Sequence, residues 1–403
     1  MFALPASSLA EDLHHVRPAV GFTVDMGGRR RGAAFGILEP VVYRVADEVR
    51  GEVRRPVAGV PAISVALGST VQYARANVAI DREVEVTVRS AADGTNDIGV
   101  SLVLPRGLSA DTARRTVRLE RGAERVVRFR VRGRLAPGQH RLAAQAQSEV
   151  RRYDAGYSRI EYDHIAPQRV YRQASATITA LPVNVPGRLR VAYVRGVSDN
   201  SAAALAQLGI PVTVIAPEDV ARADLSGFST VVVGPRAYEA HPALVAANSR
   251  LLDFVRRGGT MVVQYGQYEM MQPGIMPYPV TINRPHDRVT NEDAPVTILD
   301  PGARALNTPN TITVADFQNW VQERSLYMPR TFASQYTPVL AMSDPGEPAR
   351  NGSVLVARLG RGYYVYTTIA FFRQLPAAVP GAARLFVNLM SLTPPPARGG
   401  RDD

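Results

Sequence analysis

From Val60 to about Ala180, apolar and polar positions alternate in short runs separated by turn residues. REVEVTVRS (82–90) gives way to ADGTND, then to IGVSLVLP (98–105), then to an arginine-rich pair that turns at Arg121-Gly122. A further run from His140 to Gln147 follows Pro137-Gly138. A period of two sends successive side chains to opposite faces, so each run reads as a half-buried strand. Several such strands with no helical period predict an antiparallel β-sandwich over 58–182.

The pattern changes at Leu181-Pro-Val-Asn-Val-Pro186, a proline-rich junction of the kind that separates domains. Beyond it, continuous apolar runs alternate with helical stretches. RLRVAYVRG (188–196), PVTVIAP (211–217), FSTVVVG (228–234) and TMVVQYG (260–266) read as buried strands. SDNSAAALAQLG (198–209) reads as a helix closed by Gly209, and 242–257 as one ending at Gly258-Gly259. A hairpin, SVLVARLGRGYYVYTTI (353–369), turns at Gly360-Arg-Gly362, and a last helix covers about Gly381 to Leu392. Strand–helix alternation with unbroken apolar strands predicts an α/β, doubly wound domain over 187–394. Residues 1–57 show no clear period and read as a leader or linker, and 395–403 as a disordered tail.

Charge changes the picture less than its size implies. The net charge is +11, and the chain has no lysine, so all 47 basic residues are arginine. Residues 1–187 hold 27 Arg and 19 acids (+8), and 188–403 hold 20 Arg and 17 acids (+3). The excess sits in RTVRLERGAERVVRFRVRGR (115–134), where Val127, Phe129 and Val131 alternate with Arg128, Arg130 and Arg132. That is one solvated strand face, not a groove-reading helix, and no nucleic-acid-binding signature accompanies it. No nucleic-acid partner is expected. No apolar run reaches the length of a membrane helix, and the N-terminus lacks the basic region of a signal peptide. The compartment is left open.

The chemistry is sparse. The absence of cysteine removes disulfides, thiolate zinc ligands and cysteine nucleophiles. Ligands of open α/β sheets bind outside the carboxyl ends of the strands. Three loops fall there: GPRAYE with Arg236 and Tyr238, QYGQYE with Gln264, Tyr265 and Tyr268, and AFFRQLP with Phe371, Phe372 and Arg373. FQNWVQERS (317–325) adds the single tryptophan, Trp320, beside Gln322, Glu323 and Arg324. Aromatic, amide, carboxylate and guanidinium groups interleaved in this way suit recognition of a polar ligand such as a sugar or peptide. The plainer alternative has Trp320 anchoring a loop in the core while Glu323 and Arg324 pair. GGTMVVQYGQYE (258–269) asks whether a strand that runs into a tight turn presents a nucleophile, as in several hydrolytic folds. The turn carries only an amide and a phenol. Ser325 has no histidine near it in sequence, and the six histidines, His14, His15, His140, His164, His241 and His286, show no zinc-ligand spacing. His286-Asp287-Arg288 reads as a polar turn, and Glu323, Asp344 and Glu347 are loop carboxylates without an evident partner. Asn351-Gly-Ser353 fits a glycosylation sequon and, more simply, a turn. No complete catalytic set emerges.

Two long stretches, DFQNWVQERSLYMP (316–329) and the segment from Asp344 to Leu392 with its FFRQLPAAVPGA phrase, resemble the C-terminal region of large bacterial PIG-L/LmbE-like deacetylases. EPVVYRVADEVRGEVRRPV (39–57) and IEYDHIAPQRVY (160–171) look like their connecting segments, so the resemblance covers roughly 39–392. It implies an immunoglobulin-like sandwich followed by a class I glutamine amidotransferase-like, ThuA-like domain. In such proteins a zinc-dependent N-deacetylase domain precedes these two. Its His-Pro-Asp-Asp signature has no match: Ala240-His241-Pro242 continues into Ala243 and Leu244. No deacetylase residue carries over, and zinc is expected only in a deacetylase domain that would lie in cis or in trans. Amidotransferases place a cysteine where Gln264-Tyr265-Gly266 stands, so thiolate chemistry is excluded. The implied role is an accessory, non-catalytic module that binds a carbohydrate or glycoconjugate or scaffolds the deacetylase. A stand-alone hydrolase using loop carboxylates is the alternative.

Overall fold

The computed structural model describes residues 19–25, 34–57, 59–69, 71–149, 151–162, 164, 165, 168–197 and 199–392. His14, His15 and the expected tail at 395–403 lie outside the described residues. The chain forms two compact units. The first takes the described residues of Met1–Thr70, Ala79–Leu135 and Gln139–Ile178, and the second those of Val71–Val78, Ala136–Gly138 and Thr179–Asp403.

The first unit is built from antiparallel sheets. One carries, in order, Arg115–Glu120, Thr95–Val103 and Gly138–Ser148, and another carries Ile63–Leu67, Ile80–Ser90, Glu124–Gly133 and Leu108–Ala110. The alternation read from the sequence holds: Val84, Val86, Val88, Phe129 and Val131 are buried on one sheet, and Ile98, Val100, Leu142, Ala144 and Ala146 on the other. This is a sandwich with both inner faces apolar. Its arginine face is committed to cross-strand ion pairs. Arg128 meets Glu85 at 2.9 Å and Glu83 at 3.2 Å, and Asp81 receives both Arg130 and Arg132. Within the residues read as a leader or linker, two hairpins form: Ala19–Asp25 with Ala34–Pro40, and Val42–Asp47 with Gly51–Pro56. Val42 and Tyr43 of the second hairpin are exposed, so no core-facing alternation marks it in the sequence.

The second unit centres on a seven-stranded mixed sheet. Its strands are β1 (Val191–Val194), β2 (Val212–Ile215), β3 (Thr230–Val233), β4 (Thr260–Gln264), β5 (Tyr336–Pro338), β6 (Val354–Leu359) and β7 (Gly362–Thr367). Their order is β2-β1-β3-β4-β7-β6-β5. The first five run parallel, while β6 and β5 are antiparallel additions. Alternate residues feed two cores. Val191, Tyr193, Val232, Val262 and Val365 pack with α1 (Ser201–Gln207) and α3 (Pro380–Met390). Ala192, Val194, Val231, Val233 and Val263 pack with α2 (Pro242–Arg256). Both faces are covered, which is why these strands read as unbroken apolar runs. The helix ends fall where glycine permits them, with Gly209 at φ +74° and Gly258 at φ +117°.

Between β4 and β5 the chain makes a long excursion of short pairings: Val280–Thr281 with Thr331–Phe332, and Asp287–Val289 with Ser325–Met328. Val296–Ile298 pairs with Leu340–Met342, beyond β5. The excursion is fastened from α3. Asn388, fully buried, donates to the carbonyls of Ala305 and Asn310 and accepts from the Asn310 N–H. At the start of α3, a Cβ on Gly381 would lie 1.7 Å from the Asp316 carbonyl oxygen. That contact is backbone and cannot swing aside. Gly381→Ala is therefore expected to cost about 1–3 kcal/mol of stability, as overpacking does, measurable as a lowered denaturation midpoint.

Candidate functional site

The order β2-β1-β3-β4 reverses direction between β1 and β3, the position where open parallel sheets usually receive a ligand. Here backbone fills that crevice. A Cβ on Gly196 would meet the Pro235 carbonyl oxygen at 2.4 Å, and one on Gly234 would meet the Gly196 nitrogen at 2.4 Å. Below it runs a buried polar chain: Gln264 Nε2 donates to the Tyr193 hydroxyl at 2.7 Å, and that hydroxyl donates to Asp199 at 2.5 Å. Burial and the neighbouring Asp199 charge hold the Tyr193 phenol well above its ordinary pKa, so it stays a donor.

A second group of aromatic and charged side chains lies farther along the same edge, beyond β3, β4 and β7; Tyr265 in it is buried, Arg284 is exposed and the rest are half-buried. Six groups from four segments make successive contacts. The Arg373 guanidinium lies 5.0 Å from the Phe372 ring centre, and Phe372 lies 5.5 Å from Tyr265. Tyr265 is offset-stacked on Tyr327 at 6.3 Å, and Tyr327 and Tyr268 meet in a T-shaped contact at 5.6 Å. Tyr268 is covered by the Arg284 guanidinium at 3.7 Å. His286 stacks flat on Tyr327 at 3.7 Å with the planes 8° apart. Burial, followed by the Arg288 charge, lowers the His286 pKa, so the ring is neutral at pH 7.

The loops that carry this row are tightly held. Gln374, fully buried, accepts from the Val321 N–H and donates to the carbonyls of Val321 and Glu323, which clamps 321–323. Arg236 has φ +56° and donates its N–H to the Tyr265 carbonyl at 2.8 Å. Gln322 (φ +58°) and Tyr327 (φ +52°) share the left-handed conformation. Such backbone persists in non-glycine residues only where the surroundings over-determine it. Neither Gln264 nor Tyr265 has a positive φ, so the turn after β4 is not a strained elbow.

The carboxylates nearest the row are occupied. Arg236 holds Glu239 through two 2.7 Å hydrogen bonds, and the Glu239 pKa is lowered by that contact. Arg373 binds Glu323 at 2.6 Å and also contacts the Gln322 amide oxygen. Glu292 accepts from the Gln322 N–H at 2.8 Å. Glu269 differs: burial raises its pKa, it accepts from the Gln267 N–H at 2.8 Å, and among the described residues it forms no ion pair. Beside Arg373 opens a shallow depression of 580 Å³ lined by Thr290, Asn291, Glu292, Asp293, Gln322 and Glu323. Among the described residues no group of three or more His, Asp and Glu is placed to hold a metal ion.

The residues singled out from sequence divide cleanly. Arg236, Tyr265, Gln322, Glu323 and Arg373 come together at this edge. Tyr238, Gln264, Trp320 and Arg324 are buried and do not reach it. Tyr238 donates to Asn248 at 2.6 Å in the core under α2. Trp320 donates its indole N–H to the Asp316 carbonyl at 2.8 Å and packs on Phe317. Arg324 lies 5.5 Å from the Trp320 ring and donates to the Phe317 carbonyl, so Glu323 pairs with Arg373 rather than with its sequence neighbour. Ser325 is buried against Thr368 at 2.7 Å, and Ser353 is buried as well. Asp287 is bridged to Arg330 and Arg350, and Asp344 accepts from Thr290 and Asn291. Tyr327, Arg284 and Glu269 were missed, although the positive-φ Tyr327 sits within the quoted SLYMP phrase.

No family model matches the chain, and no curated protein matches it. Among solved structures, partial likeness extends to a β-galactosidase from Rahnella sp. R3 at 18% identity, covering 52% of this chain and 32% of that one, with a TM-score of 0.32. A β-galactosidase from Bacillus circulans sp. alkalophilus is 13% identical over 51% of this chain and 31% of its own, with a TM-score of 0.29. The exo-β-1,4-mannosidase Op5Man5 from Opitutaceae bacterium strain TAV5 is 12% identical over 52% and 37%, with a TM-score of 0.30. The chain thus spans about a third of the length of these proteins, and no residue role passes from them to it.

Proposed function

We propose that this chain is an accessory, non-catalytic region of a PIG-L/LmbE-like N-deacetylase that binds carbohydrate at the aromatic row of its second unit. In this reading the first unit is an immunoglobulin-like sandwich. The second is an amidotransferase-like domain whose nucleophile position has become interior, with Gln264 turned into the sheet. The observation that carries the proposal is the row from Arg373 through Tyr265, Tyr327 and Tyr268 to Arg284. It offers aromatic surface and fixed hydrogen-bonding groups at the ligand edge of a parallel sheet, while Glu239 and Glu323 are held in ion pairs rather than free for acid–base work.

A glycan array probed with the whole chain tests this. The expected result is retention of at least one glycan class, with the retained glycan recovered unchanged by mass spectrometry. Failure to retain any glycan removes the reading. Glu269, with its raised pKa and no ion pair among the described residues, favours a second reading, a hydrolase that uses a loop carboxylic acid. That version requires cleavage of the glycan and its loss in Glu269→Gln, and unchanged glycan counts against it.

A further inference from the structure

The two ends of the aromatic row differ in charge. At the Arg373 end, Glu323, Glu292 and Asp293 line the depression, and the arginine itself is taken up by Glu323 and Gln322. Carboxylates there accept hydrogen bonds from hydroxyl groups and repel a second anion. At the other end, Arg284 is exposed, and among the described residues it has no carboxylate within ion-pair distance. Its recorded contact is the face of Tyr268, 3.7 Å away. Stacking occupies the flat side of a guanidinium and leaves its N–H edges pointing outward, in the fork that matches the two oxygens of a carboxylate. His286, one ring away through Tyr327, adds no negative charge. Of the other nearby acids, Asp287 and Glu239 are bound to their own arginines, and Glu269, next to Tyr268 in the chain, is pushed toward its neutral form by burial.

We infer that the ligand is an acidic saccharide, a uronate whose carboxylate is taken by Arg284 at the Tyr268 end of the row. This rests on the carbohydrate reading above and goes beyond it by naming the class of sugar and a residue that selects it. The Glu292–Asp293 end then receives neutral hydroxyls of the neighbouring unit. A sugar phosphate offers the same fork a more highly charged anion, so it is the competitor that the test must include.

The test is titration calorimetry of the whole chain with trigalacturonate, with its carboxyl-reduced counterpart, and with galactose 6-phosphate. Wild type, Arg284→Gln and Arg284→Lys are compared, and thermal melts confirm that each is folded. Trigalacturonate should bind about tenfold more tightly than the reduced sugar, the size of one charge-assisted contact. Arg284→Gln should erase that difference by weakening trigalacturonate about tenfold more than it weakens the reduced sugar, and Arg284→Lys should restore part of it. Equal affinities in wild type, a preference that survives Arg284→Gln, or tighter binding of the phosphate sugar overturns the inference and leaves the carbohydrate reading standing. If none of the three sugars binds, the inference falls, and the glycan array decides whether the wider reading falls with it.

Discussion

Trp320→Ala is expected to destabilise the second unit by about 3–5 kcal/mol, the range for deleting a large buried aromatic. The indole is 3% exposed, and it packs with Phe317 and Phe371 in the core that α3 closes. Truncation would open a cavity and leave the Asp316 carbonyl without its 2.8 Å donor. The loss should spread to the site, because Arg324 lies over the same ring and the clamped residues 321–323 follow directly in the chain. Equilibrium denaturation of the whole chain would show the transition of the second unit at lower denaturant, and Trp320→Phe should recover part of the loss. A change below about 1 kcal/mol would mean that the tryptophan is not the anchor that its burial implies.

Tyr327→Ala should instead leave stability within a smaller range and remove ligand binding. Its ring touches His286, Tyr265 and Tyr268, so truncation breaks the row at its centre. Central aromatic anchors of binding surfaces cost about 2 kcal/mol or more when truncated, which is at least roughly a thirtyfold loss of affinity. Calorimetry with whichever glycan the array retains would measure it. An affinity within threefold of wild type would place the ligand elsewhere. The pairing of these two variants matters, since one aromatic is buried in the core and the other is half-buried in the row proposed to bind the ligand, although both lie within a dozen residues of chain.

That distinction marks where the sequence stops being legible. The alternation around Val127, Phe129 and Val131 and the apolar runs at 191–194 and 230–233 are local periodicities, and the sheets follow them. Helix ends at Gly209 and Gly258 are local too, since they answer to backbone conformation. The excursion between β4 and β5 is different. Its strands are two to four residues long and pair across separations of tens of residues, as Val280–Thr281 does with Thr331–Phe332, which is too short for any period to register. Arg324 and Glu323 are neighbours in sequence and adopt opposite fates, one under Trp320 and one against Arg373. Gln264 and Tyr265 divide in the same way, the amide into the sheet and the phenol toward Tyr327. The ends of the apolar runs place Arg236, Tyr265 and Arg373 in the segments that follow β3, β4 and β7. Which side chains face outward was set by tertiary contacts such as the Gln374 clamp, which no window of sequence contains.

The central claim is that the row at the carboxyl edge of the parallel sheet binds a glycan without altering it. Methyl- and amide-detected NMR titration of the whole chain with the array-selected glycan tests this most directly. The account predicts that shifts concentrate at Arg236, Tyr265, Tyr268, Arg284, His286 and Tyr327, that they vanish in Tyr327→Ala, and that the glycan's own spectrum is unchanged after prolonged incubation. Shifts confined to the sandwich, or the appearance of cleaved glycan, would contradict it.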